Sequence, residues 1–108
     1  MTFDEYQVEA QKTAIYPRHL KVVYPALGLA GETGEVCEKI KKVFRDHKGE
    51  FTPGKIEEIE KELGDVLWYL QAVASDLRIK LSKVAESNLA KLHSRQVRKK
   101  ISGEGDNR

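Results

Sequence analysis

Apolar residues recur at intervals of three and four along most of this chain, and nowhere do they alternate with polar ones at the period of two that a half-buried strand requires. The longest run is Ile56, Ile59, Leu63, Val66, Leu67, Leu70, Val73, Ala74 and Leu77, which predicts a helix from Pro53 to about Leu77. Thr52 and Pro53 suit its N-cap and first turn. A second long helix is expected from the region of Pro25 to about Arg45, with Leu29, Ala30, Val36, Cys37, Ile40, Val43 and Phe44 on one face. A shorter, irregular pattern of Phe3, Tyr6, Val8, Ala10 and Ala14 predicts a first helix over residues 3–14. Leu81, Ala85, Leu89 and Leu92 predict a fourth, capped by Ser82 and ending near Lys100. The stretch "DHKGEFTPG" breaks the two long helices apart. The expected fold is all-α, a bundle of about four helices in one domain over residues 1–101, followed by a polar tail at 102–108 with no predicted order.

Bulk properties narrow the picture. A chain of 108 residues has room for one modest core, and its 33% charged residues describe a heavily charged surface. The net charge of +2 is too small to indicate a nucleic-acid polymer as partner. The lone Cys37 cannot form an intrachain disulfide, and "MTFDEYQVEA" lacks the basic and apolar regions of a secretory signal, so a cytoplasmic location is expected. No apolar run approaches the ~20 residues that span a membrane.

The chemistry lies in "GLAGETGEV", residues 28–36, where Gly28, Gly31 and Gly34 interrupt a helical pattern. Each helical glycine costs roughly 1 kcal/mol relative to alanine. Glu32 and Glu35 stand three apart there, and Glu62 and Asp65 of "ELGD" repeat that spacing, again with a glycine before the second acid. Residues three apart share a helical face, so each pair can present two carboxylates to one ion. With the two long helices antiparallel, four carboxylates can converge, and hard oxygen ligands select Mg²⁺, Mn²⁺ or Ca²⁺. The blander reading makes these surface acids in i, i+4 pairs with lysines: Glu35 with Lys39, Glu38 with Lys42, Glu57 with Lys61. His19, His47 and His93 show no zinc spacing.

Taken together, "GLAGETGEVCEKIKK", "ELGDVLWYL", "NLAKLHSR" and the terminal "SGEGDNR" resemble the MazG-like nucleotide pyrophosphohydrolases over nearly the whole chain. That resemblance implies an all-α, Mg²⁺-dependent hydrolase, with Mn²⁺ a possible substitute, that cuts a nucleoside triphosphate to the monophosphate and pyrophosphate. It implies Glu32, Glu35, Glu62 and Asp65 as metal ligands, with Glu32 or Glu35 also accepting the proton of the attacking water. Asn88, Lys91 and Arg95 resemble the family's Asn-x-x-Lys element and its flank, which contact the nucleotide. One departure is Gly31, where many members carry the first of two adjacent acids.

Trp68 lies off the centre of its helix's apolar stripe, where it can stack on a base or pack against another subunit. The resemblance further implies a homo-oligomer, a dimer or a dimer of dimers. Two other functions fit the bare pattern: a non-enzymatic helical adaptor, and a phosphoribosyl-ATP pyrophosphohydrolase-like enzyme.

Overall fold

The computed structural model describes residues 1–99 and 101–108. Four α-helices and no strand occur among them: α1 Phe3–Gln11, α2 Val23–His47, α3 Pro53–Asp76 and α4 Leu81–Val97. The expected all-α bundle is therefore what the chain forms. The expected end of the fourth helix near Lys100 falls outside the described residues.

Local chemistry explains the boundaries. Thr2 accepts from the backbone N–H of Glu5 while the Glu5 side chain accepts from the backbone of Thr2, a capping box that starts α1. This helix ends three residues sooner than its apolar pattern suggested, because Thr13 turns its hydroxyl and its N–H onto the carbonyl of Ala10. Thr52 caps α3 as expected, accepting from Lys55 N–H at 3.3 Å, with Pro53 in the first turn. Ser82 does not cap α4. The helix begins at Leu81, and α1 supplies its cap: Gln7 accepts from Leu81 N–H at 2.7 Å, while Asp4 accepts from Ser82 N–H at 3.1 Å. The free N–H groups of a helix end thus become the joint between the first and last helices.

The pairing of α2 with α3 across the short 48–52 turn is the main helical contact, and α1 lies on α3 and α4. Lys48 and Gly49 make that turn with φ of 55° and 78°, the left-handed pair that closes a helix. The interior is small. Ala10, Tyr16, Val43, Ala72, Ala74 and Leu81 are its buried apolar residues, alongside Pro25 and Gln71. Much of the stripe expected to form the core stays open, with Phe44 63%, Ile56 53% and Leu63 52% exposed. Trp68, expected off the packed stripe, is half-buried and packs within the chain, its indole N–H donating to Thr13 Oγ1.

The link between α1 and α2 is held by one buried carboxylate. Asp76, at the end of α3, accepts from the Tyr16 hydroxyl at 2.6 Å, from Val22 N–H at 2.9 Å and from the Arg18 guanidinium at 3.2 Å. Arg18 also lies over the Tyr16 ring, against which the ring of Tyr24 stacks.

Candidate functional site

The α2–α3 pairing sets the acids of one helix against those of the other. One carboxylate oxygen each from Glu32, Glu62 and Asp65 lie within 4.8 Å of one another. Glu35, one turn farther along α2, is exposed and stands outside that trio. Its charge still reaches the cluster: burial lifts the Glu32 carboxyl above the usual range first, and Asp65, Glu62 and Glu35 add repulsion. The same negative field contributes to raising the phenols of Tyr69 and Tyr6, after burial.

The ordinary ion pairs fall elsewhere. Glu57 meets Lys61 at 3.9 Å as anticipated, while Glu38 takes Lys41 at 2.8 Å in place of Lys42. No ion pair of Glu35 with Lys39 forms among the described residues. None of the three clustered acids forms an ion pair among the described residues, and like charges held together without counter-charge favour a bound cation. Ligand oxygens in an octahedral shell with bonds near 2.1 Å stand about 3–4 Å apart. The trio is within a small rotamer adjustment of that spacing, and its all-oxygen donors fit a hard divalent ion.

Beside the acids opens a pocket of about 320 Å³ lined by Thr13, Glu32, Asp65, Trp68 and Tyr69. A second hollow of about 360 Å³ shares Thr13, Trp68 and Tyr69 with it and continues to Tyr16 and Tyr24. Trp68 is fixed in this wall: its indole N–H donates to Thr13 Oγ1 at 2.8 Å, and its ring meets those of Tyr16 and Tyr69 edge to face. Only ring surface is left for a ligand. Gly28 gives Tyr69 its place, since a β-carbon there would lie 2.2 Å from the Tyr69 ring. Gly31, Gly34 and Gly64 have nothing within 4 Å of a β-carbon position.

None of Asn88, Lys91 and Arg95 lines these pockets. Asn88 is exposed, Lys91 binds Asp106 at 3.1 Å, and Arg95 is only 5% exposed, its guanidinium donating to the carbonyls of Gly105 and Asp106. His19, His47 and His93 are exposed and apart from the acids. Thr13, Tyr16 and Tyr24 escaped sequence reading; the density of aromatics in "YPRHLKVVYP" signalled the two tyrosines, and nothing signalled Thr13.

An all-helical chain with a carboxylate trio on two antiparallel helices, opening into an aromatic-walled pocket, has the make-up of a protein that binds a divalent cation together with a polyanion bearing a ring. The chain belongs to the MazG nucleotide pyrophosphohydrolase domain family, whose model matches residues 25–98 and so spans both acid pairs and the whole of α4. Members of that family depend on divalent metal and act on nucleotides. The chain is also 43% identical, over the full length of both proteins, to the Gene 37 protein of Mycobacterium phage L5, whose name specifies no activity. No solved structure matches. No helix is long and apolar enough to cross a membrane among the described residues.

Proposed function

We propose that this chain is a Mg²⁺-dependent nucleoside triphosphate pyrophosphohydrolase, converting an NTP or dNTP to the monophosphate and pyrophosphate. The observation that carries the reading is the convergence of Glu32, Glu62 and Asp65 oxygens within 4.8 Å in a chain of this family. Those three residues, with Glu35 beside them, would hold the metal. Held by these residues, a divalent ion such as Mg²⁺ would offset the charge of the triphosphate and supply Lewis-acid polarisation of its α-phosphoryl group.

The remaining work falls to the chain's own residues. Glu35 stands free of the trio and takes the proton as water attacks the α-phosphorus. The new P–O bond forms as the bond from the α-phosphorus to the bridging oxygen breaks, and pyrophosphate carries that electron pair away. Glu32, the more enclosed of the α2 pair, orients the metal side of the site. The base lies along Trp68 and Tyr69, where ring faces are available and the indole N–H is already engaged. Asn88 and Lys91 contact the phosphates, reaching them in an assembly of at least two chains. The open apolar surface of α2 and α3 supports such an assembly.

The direct test is a panel of ribo- and deoxyribonucleoside triphosphates incubated with Mg²⁺, with pyrophosphate and monophosphate measured. Equimolar release of both supports the reading. Release of inorganic phosphate and a diphosphate, or of nothing from any substrate, refutes it.

A further inference from the structure

The tail at 101–108, which composition left without expected order, is fastened to α4 by the basic residues of that helix. Arg95 is buried beneath it and donates to the Gly105 and Asp106 carbonyls. Arg98 donates to the Arg108 carbonyl, and Arg108 folds back onto those of Gly105 and Ile101. Gly103 and Gly105 make the bends with φ of 123° and 82°, backbone that side chains disfavour, so the path is written into the residue types. What this wrapping accomplishes is to bring the Asp106 carboxylate 3.1 Å from the Lys91 ammonium and 3.5 Å from the Arg95 guanidinium.

The energetics separate two roles. Asp106 is 82% exposed, and an ion pair so open contributes little to folding. The bonds from buried Arg95 to backbone carbonyls are what hold the tail. The Lys91–Asp106 pair therefore has geometry as its main consequence. A lysine on a four-carbon stem loses rotamer freedom when it is fixed, a cost that falls on ligand binding unless the protein has already met it. Lys91 uses one donor on Asp106 and retains two. The hydrogen bond from Lys91, ahead of that from Arg95, holds the Asp106 carboxyl below its ordinary range, so the carboxylate is already balanced by positive charge.

Resting on the pyrophosphohydrolase reading above, we propose that Asp106 is a positioning residue: it fixes the Lys91 ammonium for an oxygen of the substrate's polyphosphate, while Arg95 is the buried post that anchors the tail. The tail is thereby a working part of the phosphate site.

The test compares wild type with Asp106→Asn, Lys91→Ala and the double variant, in full-length protein. Binding of Mg²⁺ with a non-hydrolysable α,β-methylene triphosphate is measured alongside kcat and KM for hydrolysis. Asp106→Asn is expected to weaken analogue binding and raise KM about threefold to tenfold, the factor for one side chain left to be ordered by ligand, with kcat within about twofold. Thermal stability should hold, and adding Asp106→Asn to Lys91→Ala should change nothing more. Wild-type binding by Asp106→Asn beside weak binding by Lys91→Ala overturns the positioning role and leaves the activity standing. Tighter binding by Asp106→Asn also overturns it, since the carboxylate would then be competing with phosphate. A wild-type chain that neither binds the analogue nor hydrolyses triphosphates refutes both proposals, an outcome visible before any variant is made.

Discussion

Gly28 of α2 lies under the ring of Tyr69 of α3, so close that a β-carbon on Gly28 would stand 2.2, 2.4 and 2.6 Å from three atoms of that ring. This contact brings the two long helices together at the mouth of the acid pocket. It also fixes one wall of that pocket.

Gly28→Ala is therefore expected to push Tyr69 aside, lowering stability by about 1–3 kcal/mol as overpacking does, and reducing nucleotide turnover with it. Gly34→Ala is the contrast, because nothing lies within 4 Å of its β-carbon position. Alanine there should raise stability by up to about 1 kcal/mol through helix propensity alone. Chemical denaturation of both variants decides the matter. Equal destabilisation would mean that another chain lies against Gly34.

Asp76 offers a test in pH. Burial would raise its pKa, but hydrogen bonds from Tyr16, Val22 N–H and Arg18 outweigh that and hold the carboxyl below its ordinary range. A carboxyl depressed in the folded state adds stability that is fully present above the unfolded value near 3.9 and is lost as pH falls through the lower folded value. Asp76→Asn should cost about 2–3 kcal/mol at pH 7, since it weakens the bonds to a hydroxyl and to the N–H of Val22, whose φ of 67° depends on that tether. The gap between wild type and variant should narrow below about pH 4. Urea melts at pH 7 and pH 3 measure it; a gap independent of pH would mean that charge contributes nothing at this joint.

The two long helices and the capping of α3 were legible because periodicity and the Thr52–Pro53 signal are local properties, set within a few residues. The start of α4 was not, because its cap comes from Asp4 and Gln7, more than seventy residues away in the chain. Paired acid spacing singled out Glu32, Glu62 and Asp65, yet spacing alone gave Glu35 equal standing. Helical phase does not specify which side chains of a four-acid set face inward. Burial was the least readable property: an apolar stripe states that a surface seeks cover, and Ile56 and Leu63, both more than half exposed, show that the chain itself need not supply it. The order of the tail escaped because it depends on one buried arginine.

Single alanine replacements of Glu32, Glu62 and Asp65 should each reduce pyrophosphate release about a hundredfold or more, as loss of a metal ligand does, with helical content retained. Glu35→Ala should match them if it serves as base. Glu57 and Glu60, outside the trio, are the controls. Metal-free stability should stay level or rise, because burial and neighbouring carboxylates already disfavour charge on Glu32. Mg²⁺ with nucleotide should raise the melting temperature of wild type by mass action, and by less in the three variants. Hydrolysis surviving in all of them would remove the metal site from the account.

The last expectation concerns assembly. Ile56, Leu63 and Leu70 of α3 and Leu77 at its C-cap follow one another at intervals of seven, and each is at least 37% exposed. Sevenfold spacing keeps a line of side chains on one side of a helix, the arrangement that receives another helix. Leu27 and Phe44 of α2, 70% and 63% exposed, enlarge the open apolar surface. A monomer would leave all of this in water, whereas a twofold contact buries it twice over. Trp68 is a poor probe of this contact, since it packs inside the chain against Thr13, Tyr16 and Tyr69. Ile56→Glu is the better variant: it lies two turns from Glu62 and removes no intrachain hydrogen bond. Sedimentation at micromolar concentration should find wild type at least dimeric and Ile56→Glu shifted toward monomer, with hydrolysis falling in parallel because Lys91 and the acids no longer meet. A wild-type monomer with full activity would show that one chain completes the site alone, and would return the α3 stripe to ordinary exposed surface.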